Sequence, residues 1–212
     1  MKALPNRPSS AQLRALYGRD PALARVRKGL ETFPGFPMLP RFPYFHTLAR
    51  IIIYQQLASA AARTIHNRVQ ALSPNPKRFP TSGEILAQPE ADLRGAGLSR
   101  NKLRAILDLA ERVQDGRLTL RSLPRYSDQE VTDRLTEVWG IGQWTAQMFL
   151  LFHLGRLDVF APGDLGLQEG IRVLDGLDTR PSPARALARA EVWSPLRSVA
   201  SWYLWRLVDT RG

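Results

Sequence analysis

"VWGIGQWTAQMFLLFHLGRLDVFAPGDLGLQEG", residues 138–170, sets a Gly-Ile-Gly turn before an apolar helix and one carboxylate, Asp164, at the mouth of another. Gly140 and Gly142 flank Ile141 with almost no room for a loop. Glycine permits positive φ and, without a Cβ, lets the turn lie close against a surface. The next helix is expected to start at about Gln143, its first amides pointing outward with the positive end of the helix dipole. Exposed amides of that kind bind phosphate without a nearby Lys or Arg. Ile141 is expected to pack inward and lock the turn. Taken alone, Gly-x-Gly is also a plain corner between helices, and Asp164 is also an ordinary N-cap.

The pattern around this stretch is helical nearly throughout. "SSAQLRALYG" offers a serine cap and apolar spacing of three and four. Residues 45–72 read as one long helix or two abutting ones, and the centre "IIIYQQLASAAAR" is too apolar for a surface helix. "TSGEILAQ", with Ser82 as a cap, "PEADLRGAG" and "SRNKLRAILDLAERVQDG" follow as further helices. "SDQEVTDRLTEVWG" opens on a capping box, Ser127 and Glu130, and is expected to end at Gly140. "WTAQMFLLFHLG", "DLGLQEGIRVLDG", "SPARALARAEVW" and "PLRSVASWYLWRLVD" complete the series. "PGFPMLPRFPYF", residues 34–45, reads as an extended connector. No strand pair, hairpin signal or repeat appears, so the fold class is all-α.

The 212 residues are enough for one core or two small lobes. Apolar residues make up 44%, which favours packing over disorder. Thirty Lys and Arg against nineteen Asp and Glu leave a net charge of +11, which points to a polyanion: nucleic acid first, anionic membrane second. There is no cysteine, so disulfides, iron–sulfur clusters, the usual zinc sites and a thiol nucleophile are excluded. His46, His66 and His153 lie at no metal-ligand spacing and read as ordinary packed or surface residues. The N-terminus lacks the apolar core of a signal peptide, and no run approaches a membrane span, so a soluble cytoplasmic protein is expected; a monomer is the simplest expectation for action on a polyanion.

The words "GIGQWTA", "LGRLDVFAPGDLGL" and "WSPLRSVASWYLW", with "IIIYQQLASAAA" and "GLSRNKLRAILDLA", occur in order over roughly residues 40–210. In these the chain resembles the helix-hairpin-helix DNA glycosylases, and within them the 3-methyladenine DNA glycosylase II type. The resemblance implies two helical lobes flanking a cleft. A central lobe would span about residues 43–154, with the hairpin at 135–150, and a second would combine about 1–42 with 155–212. The β-rich N-terminal domain of larger bacterial relatives is expected to be absent. The partner implied is duplex DNA carrying a damaged base.

The resemblance also assigns roles. Gly140, Gly142, Gln143 and Thr145 would hold one strand through backbone amides. Asp164 would be the catalytic acid, stabilising positive charge on the sugar and orienting or deprotonating water. Trp144 and Trp205 would stack on a cationic purine, although for any single tryptophan core packing is the better reading. Met148 and Leu165 stand where some relatives carry pocket aromatics, which leaves the range of bases open. Gln56 and Leu57 match the position that enters the gap left by the flipped base, and Leu57 reads equally as core. Arg197 and Ser198 would reach phosphate or brace the pocket; Lys102 would contact phosphate; Asp158 reads as structural. The carbonyls of Thr136, Val138 and Ile141 match those that bind a sodium or potassium ion in relatives, and no other cofactor is implied. Family members that cut the backbone carry a lysine where this chain has Trp144, which implies base release without lyase activity. Two alternatives remain: a glycosylase for oxidised or deaminated bases, and a non-catalytic DNA-binding module.

Overall fold

A computed structural model describes residues 7–36 and 43–210. Among these, every regular element is helical. The chain divides into two compact units, one of residues 40–146 and one of 1–39 with 147–212. The division differs by a few residues from the lobes expected on sequence, because its second boundary falls inside a helix and not in the loop after it. The extended connector expected at 34–45 falls largely on residues 37–42, outside the described residues.

In the unit of residues 40–146, helix α3 (Tyr44–Tyr54) buries Leu48, Ile52 and Ile53. It packs on α4 (Ser59–Ala71) and on α7 (Arg100–Gln114). Of the two readings of residues 45–72, the structure has two helices, separated after Tyr54, and Gln56 in the break has a φ of 55°. Helix α5 (Ser82–Leu86) lies on α7, and α6 (Glu90–Gly95) leads into it. Thr81, not Ser82, caps α5: its hydroxyl accepts from Glu84 N while the Glu84 carboxylate reaches back to Thr81 N. Ser99 caps α7, whose Leu103, Ile106 and Leu109 fill the core at helical spacing. After a 3₁₀ segment (Leu120–Arg125), α8 (Asp128–Thr136) starts on the expected capping box and ends one turn before Gly140. Helix α9 (Gln143–Phe152) follows the turn.

The sequence pattern also missed a contact here. His46 and His66 meet in space, Nε2 to Nε2 at 2.8 Å, stacked with Phe79 inside the core. They lie 20 residues apart, and it is α3 packing on α4 that brings them together.

In the other unit, α1 (Ser10–Arg19) and α2 (Pro21–Arg27) precede α10 (Leu165–Asp175), α11 (Pro183–Ala190) and α12 (Arg197–Asp209). Buried Asp20 caps α2 and also accepts from Arg189 and Trp193, at 2.7 and 2.6 Å. The sequence reading missed α2, although Asp20-Pro21 is an N-cap followed by a first-turn proline. Helices α10 and α12 form the main packed pair. They come so close at Gly170 that a Cβ there would stand 2.7 Å from Leu204 Cβ and 3.0 Å from Leu204 O.

Candidate functional site

The hairpin turn is built on α7. Asp108, one helical face from the core residues, accepts Trp139 N at 2.7 Å and pairs with Arg112 at 3.1 Å. Arg104 lies over the Trp139 ring at 4.4 Å. Gly140 has a φ of 81° and faces Ala105 Cβ closely enough to exclude a larger side chain. Ile141 is buried as expected, and its N–H closes the turn on Val138 O at 3.0 Å. Gly142 differs from Gly140. Its φ lies outside the left-handed region, and a Cβ there would meet nothing within 4 Å. The fold itself therefore does not require glycine at 142.

Ala146 N bonds to Gly142 O, so Gly142 and Gln143 head α9 with their amides on its N-terminal side. Trp144 is 44% exposed, which excludes core packing for this tryptophan. Thr145 is only 4% exposed, and its hydroxyl accepts from Gln55 Nε2, so its side chain braces the turn from behind and presents nothing to a ligand.

Gln55 was not singled out in the sequence. Its Nε2 donates to Gly140 O and Thr145 Oγ1, both at 3.2 Å, joining the end of α3 to the hairpin. Leu57, two residues on, is 39% exposed, so the core reading for it fails. Lys102 does not extend toward solvent as a phosphate contact would. Its Nζ donates to Ile53 O at 2.6 Å and Gln55 O at 2.8 Å, and burial holds its ammonium below the ordinary lysine value.

In the other unit, Asp164 is the N-cap of α10, as expected. One of its oxygens, Oδ1, accepts from Leu167 N at 2.8 Å and from Trp205 Nε1 at 3.1 Å. Trp205 is stacked on Phe152 with centroids 5.8 Å apart, so its ring is fixed from one side and its N–H aimed at the acid. Gly166 gives both groups room, since a Cβ there would lie 3.1 Å from Asp164 Oδ1 and 3.1 Å from Trp205 Cδ1. Leu165, beside the acid, is 63% exposed, while Met148 is buried. Trp202, the neighbouring tryptophan on α12, is core and packs on Phe33.

The Asp158 loop is a brace. Its carboxylate takes Arg197 Nε at 2.9 Å, Arg197 N at 3.1 Å and Ser194 Oγ at 3.0 Å. Arg197 also pairs with Glu191 at 3.2 Å, so its guanidinium serves the fold. Ser198 is wholly buried, with its hydroxyl between Val159 N and Val159 O, and the phosphate reading for it is overturned. Bracing, left open on sequence, is the role both residues play.

No group of three or more His, Cys, Asp or Glu side chains that could hold a metal ion occurs among the described residues. No helix among them is long and apolar enough to cross a membrane.

Comparison with known proteins matches this arrangement over most of its length. DNA-3-methyladenine glycosylase 1 of Schizosaccharomyces pombe is 37% identical over 193 residues, covering 90% of this chain and 84% of the relative. A crystal structure of DNA-3-methyladenine glycosidase from Bacillus halodurans superposes with a TM-score of 0.84 at 32% identity, covering 96% of this chain and 91% of that one. The 3-methyladenine DNA glycosylase of S. pombe, solved in complex with abasic DNA, superposes with a TM-score of 0.76 at 34% identity, covering 93% and 96%. Residues 49–195 match the HhH-GPD superfamily base excision DNA repair proteins, and the chain belongs to that family.

Proposed function

We propose that the chain is a monofunctional DNA glycosylase, which extrudes an alkylated purine from duplex DNA and hydrolyses its N-glycosidic bond to leave an abasic site. The observation that carries this reading is the setting of Asp164. Leu167 N and Trp205 Nε1 both bond to one of its oxygens, which fixes the plane of the carboxylate at the head of α10. A fixed carboxylate facing a sugar stabilises the positive charge that grows as the base leaves. It also orients or accepts a proton from the attacking water. A purine alkylated on its ring already carries positive charge and leaves neutral, so no second acid is needed. The exposed face of Trp144 supplies an electron-rich surface for such a base. The relatives that share the fold and about a third of the residues are named for 3-methyladenine, which supports the substrate class.

The amides of Gly142 and Gln143 are assigned to phosphate, and Leu57, on a strained turn, to the space left by the extruded nucleotide. Hairpin position 144 carries a tryptophan, which forms no Schiff base with the opened sugar, so the product strand stays intact. Thr136, Val138 and Ile141 offer neutral carbonyl oxygens suited to a monovalent cation. Val138 O already accepts Ile141 N and keeps a second lone pair for such an ion.

The test uses duplexes with single methylated, deaminated or oxidised bases, assayed for strand breaks with and without alkali. Alkali-dependent breaks at 3-methyladenine or 7-methylguanine are expected. Asp164→Asn keeps an oxygen for both donors but loses the charge, and it is expected to slow release on the order of 100-fold or more. Breaks without alkali overturn the monofunctional reading. Duplex binding with no base released leaves only a binding module.

A further inference from the structure

We infer that Lys102 and Gln55 are positioning residues that set the 55–57 turn for entry into the duplex and lock it to the hairpin. The inference rests on the reading of Leu57 as the residue that fills the gap. A helix end leaves its last carbonyls unpaired and carries the negative end of the dipole. At the end of α3, Ile51 O takes Gln55 N at 3.1 Å and Tyr54 O takes Leu57 N at 3.4 Å. Ile53 O and Gln55 O are satisfied from a distant helix, by the Lys102 ammonium at 2.6 and 2.8 Å. Residue 55 is thus held by its carbonyl from α7, while its carboxamide holds Gly140 O and Thr145 Oγ1.

Gln56, the next residue, has a φ of 55°. That conformation is disfavoured for a residue with a Cβ, and it persists only where the surroundings enforce it. The groups that enforce it here are those on either side of Gln55. Leu57 follows, with 39% of its surface exposed. An apolar side chain presented on a strained turn, with the turn bolted at one end to the hairpin, is arranged to be pushed against resistance. A lysine acting only as a helix cap would not need the second link through Gln55.

The experiment measures insertion without catalysis. A duplex carries a tetrahydrofuran abasic analogue beside 2-aminopurine, whose fluorescence rises when its stacking partner is displaced. The unaltered chain at saturation is expected to give a rise. Lys102→Met is expected to reduce it by about half or more while still binding the duplex, Lys102→Arg to restore it, and Gln55→Leu to reduce it likewise. On 7-methylguanine paired with cytosine, release by Lys102→Met should slow on the order of tenfold. The same lesion opposite an abasic analogue, which costs less to extrude, should be far less affected. A full fluorescence rise with both Lys102→Met and Gln55→Leu overturns the inference. Should Lys102→Met fail to fold by circular dichroism, Gln55→Leu decides, because its loss removes the link to the hairpin and no helix cap. The two readings fail separately. A fluorescence rise without base release sinks the glycosylase reading and keeps the inference; base release without a rise does the reverse.

Discussion

Gly142 and Gly170 differ in what a side chain would meet. A Cβ at 170 strikes the protein itself, whereas one at 142 meets open space. If the amides of Gly142 and Gln143 hold phosphate as proposed, a side chain at 142 would meet the strand lying against the turn. Gly142→Val should weaken binding to duplexes of every sequence alike, by about 1–2 kcal/mol or roughly tenfold. Its effect on folding should stay near 1 kcal/mol, the difference between glycine and a β-branched residue heading a helix. Binding titrations on several unrelated duplexes check this, and a sequence-selective loss would contradict it. The family resemblance marked Asp164 and Trp144, and the Gly-Ile-Gly turn marked Gly140 and Gly142, because motif and spacing tie them to one another along the chain. The same reading misplaced Lys102, Arg197 and Ser198. The target of a long cation is set by whichever carbonyl or carboxylate the tertiary fold brings within reach, and no local pattern records that.

At the scale of elements, the helices were legible because caps and apolar spacing agree along most of the chain. Ser9, Ser99, Ser127 and Ser182 all cap helices in the structure. What stayed open was whether α3 and α4 are one helix or two and where they part, since the apolar pattern runs on through the break and tertiary bonds from Lys102 and to the hairpin help hold it. The 3₁₀ segment at Leu120–Arg125 escaped, being short and carrying an internal proline. The α10–α12 contact yields its own prediction. In Gly170→Ala the new methyl meets Leu204 Cβ and backbone, neither of which swings away. Overpacking of this kind should destabilise the chain by about 1–3 kcal/mol in denaturant unfolding. Leu204→Ala made together with it should not recover that loss, because alanine keeps the Cβ and the backbone atoms that the methyl meets.

For the whole molecule, acid is a condition that acts on the core through its buried titratable groups. Burial, the neighbouring His66 and Arg50 push the His46 pKa down from 6.5 to about 4. The folded state thus binds fewer protons than the unfolded chain between those values. The contribution of neutral His46 to stability is complete above about pH 6.5 and is lost as pH falls toward 4, at up to about 1.4 kcal/mol per unit. Asp20 works in the same direction at lower pH. Burial raises its pKa, but the bonds from Leu23, Trp193 and Arg189 together hold it below the ordinary value, and that stabilisation fades as the carboxylate protonates. Denaturant midpoints from pH 7 to 4 should fall steadily, and His46→Phe should flatten the upper part of the curve. The left-handed Gln56 has a different consequence, one for laboratory evolution. Glycine at 56 would relieve about 1–2 kcal/mol of strain against roughly 0.5–1 kcal/mol of added chain entropy lost on folding, a net gain in heat resistance. A library selected only for survival at high temperature should therefore enrich Gln56→Gly, and the enriched clones should protect cells from alkylating agents less well than their parent. Selecting for durability would discard the tension with which the loop meets its substrate.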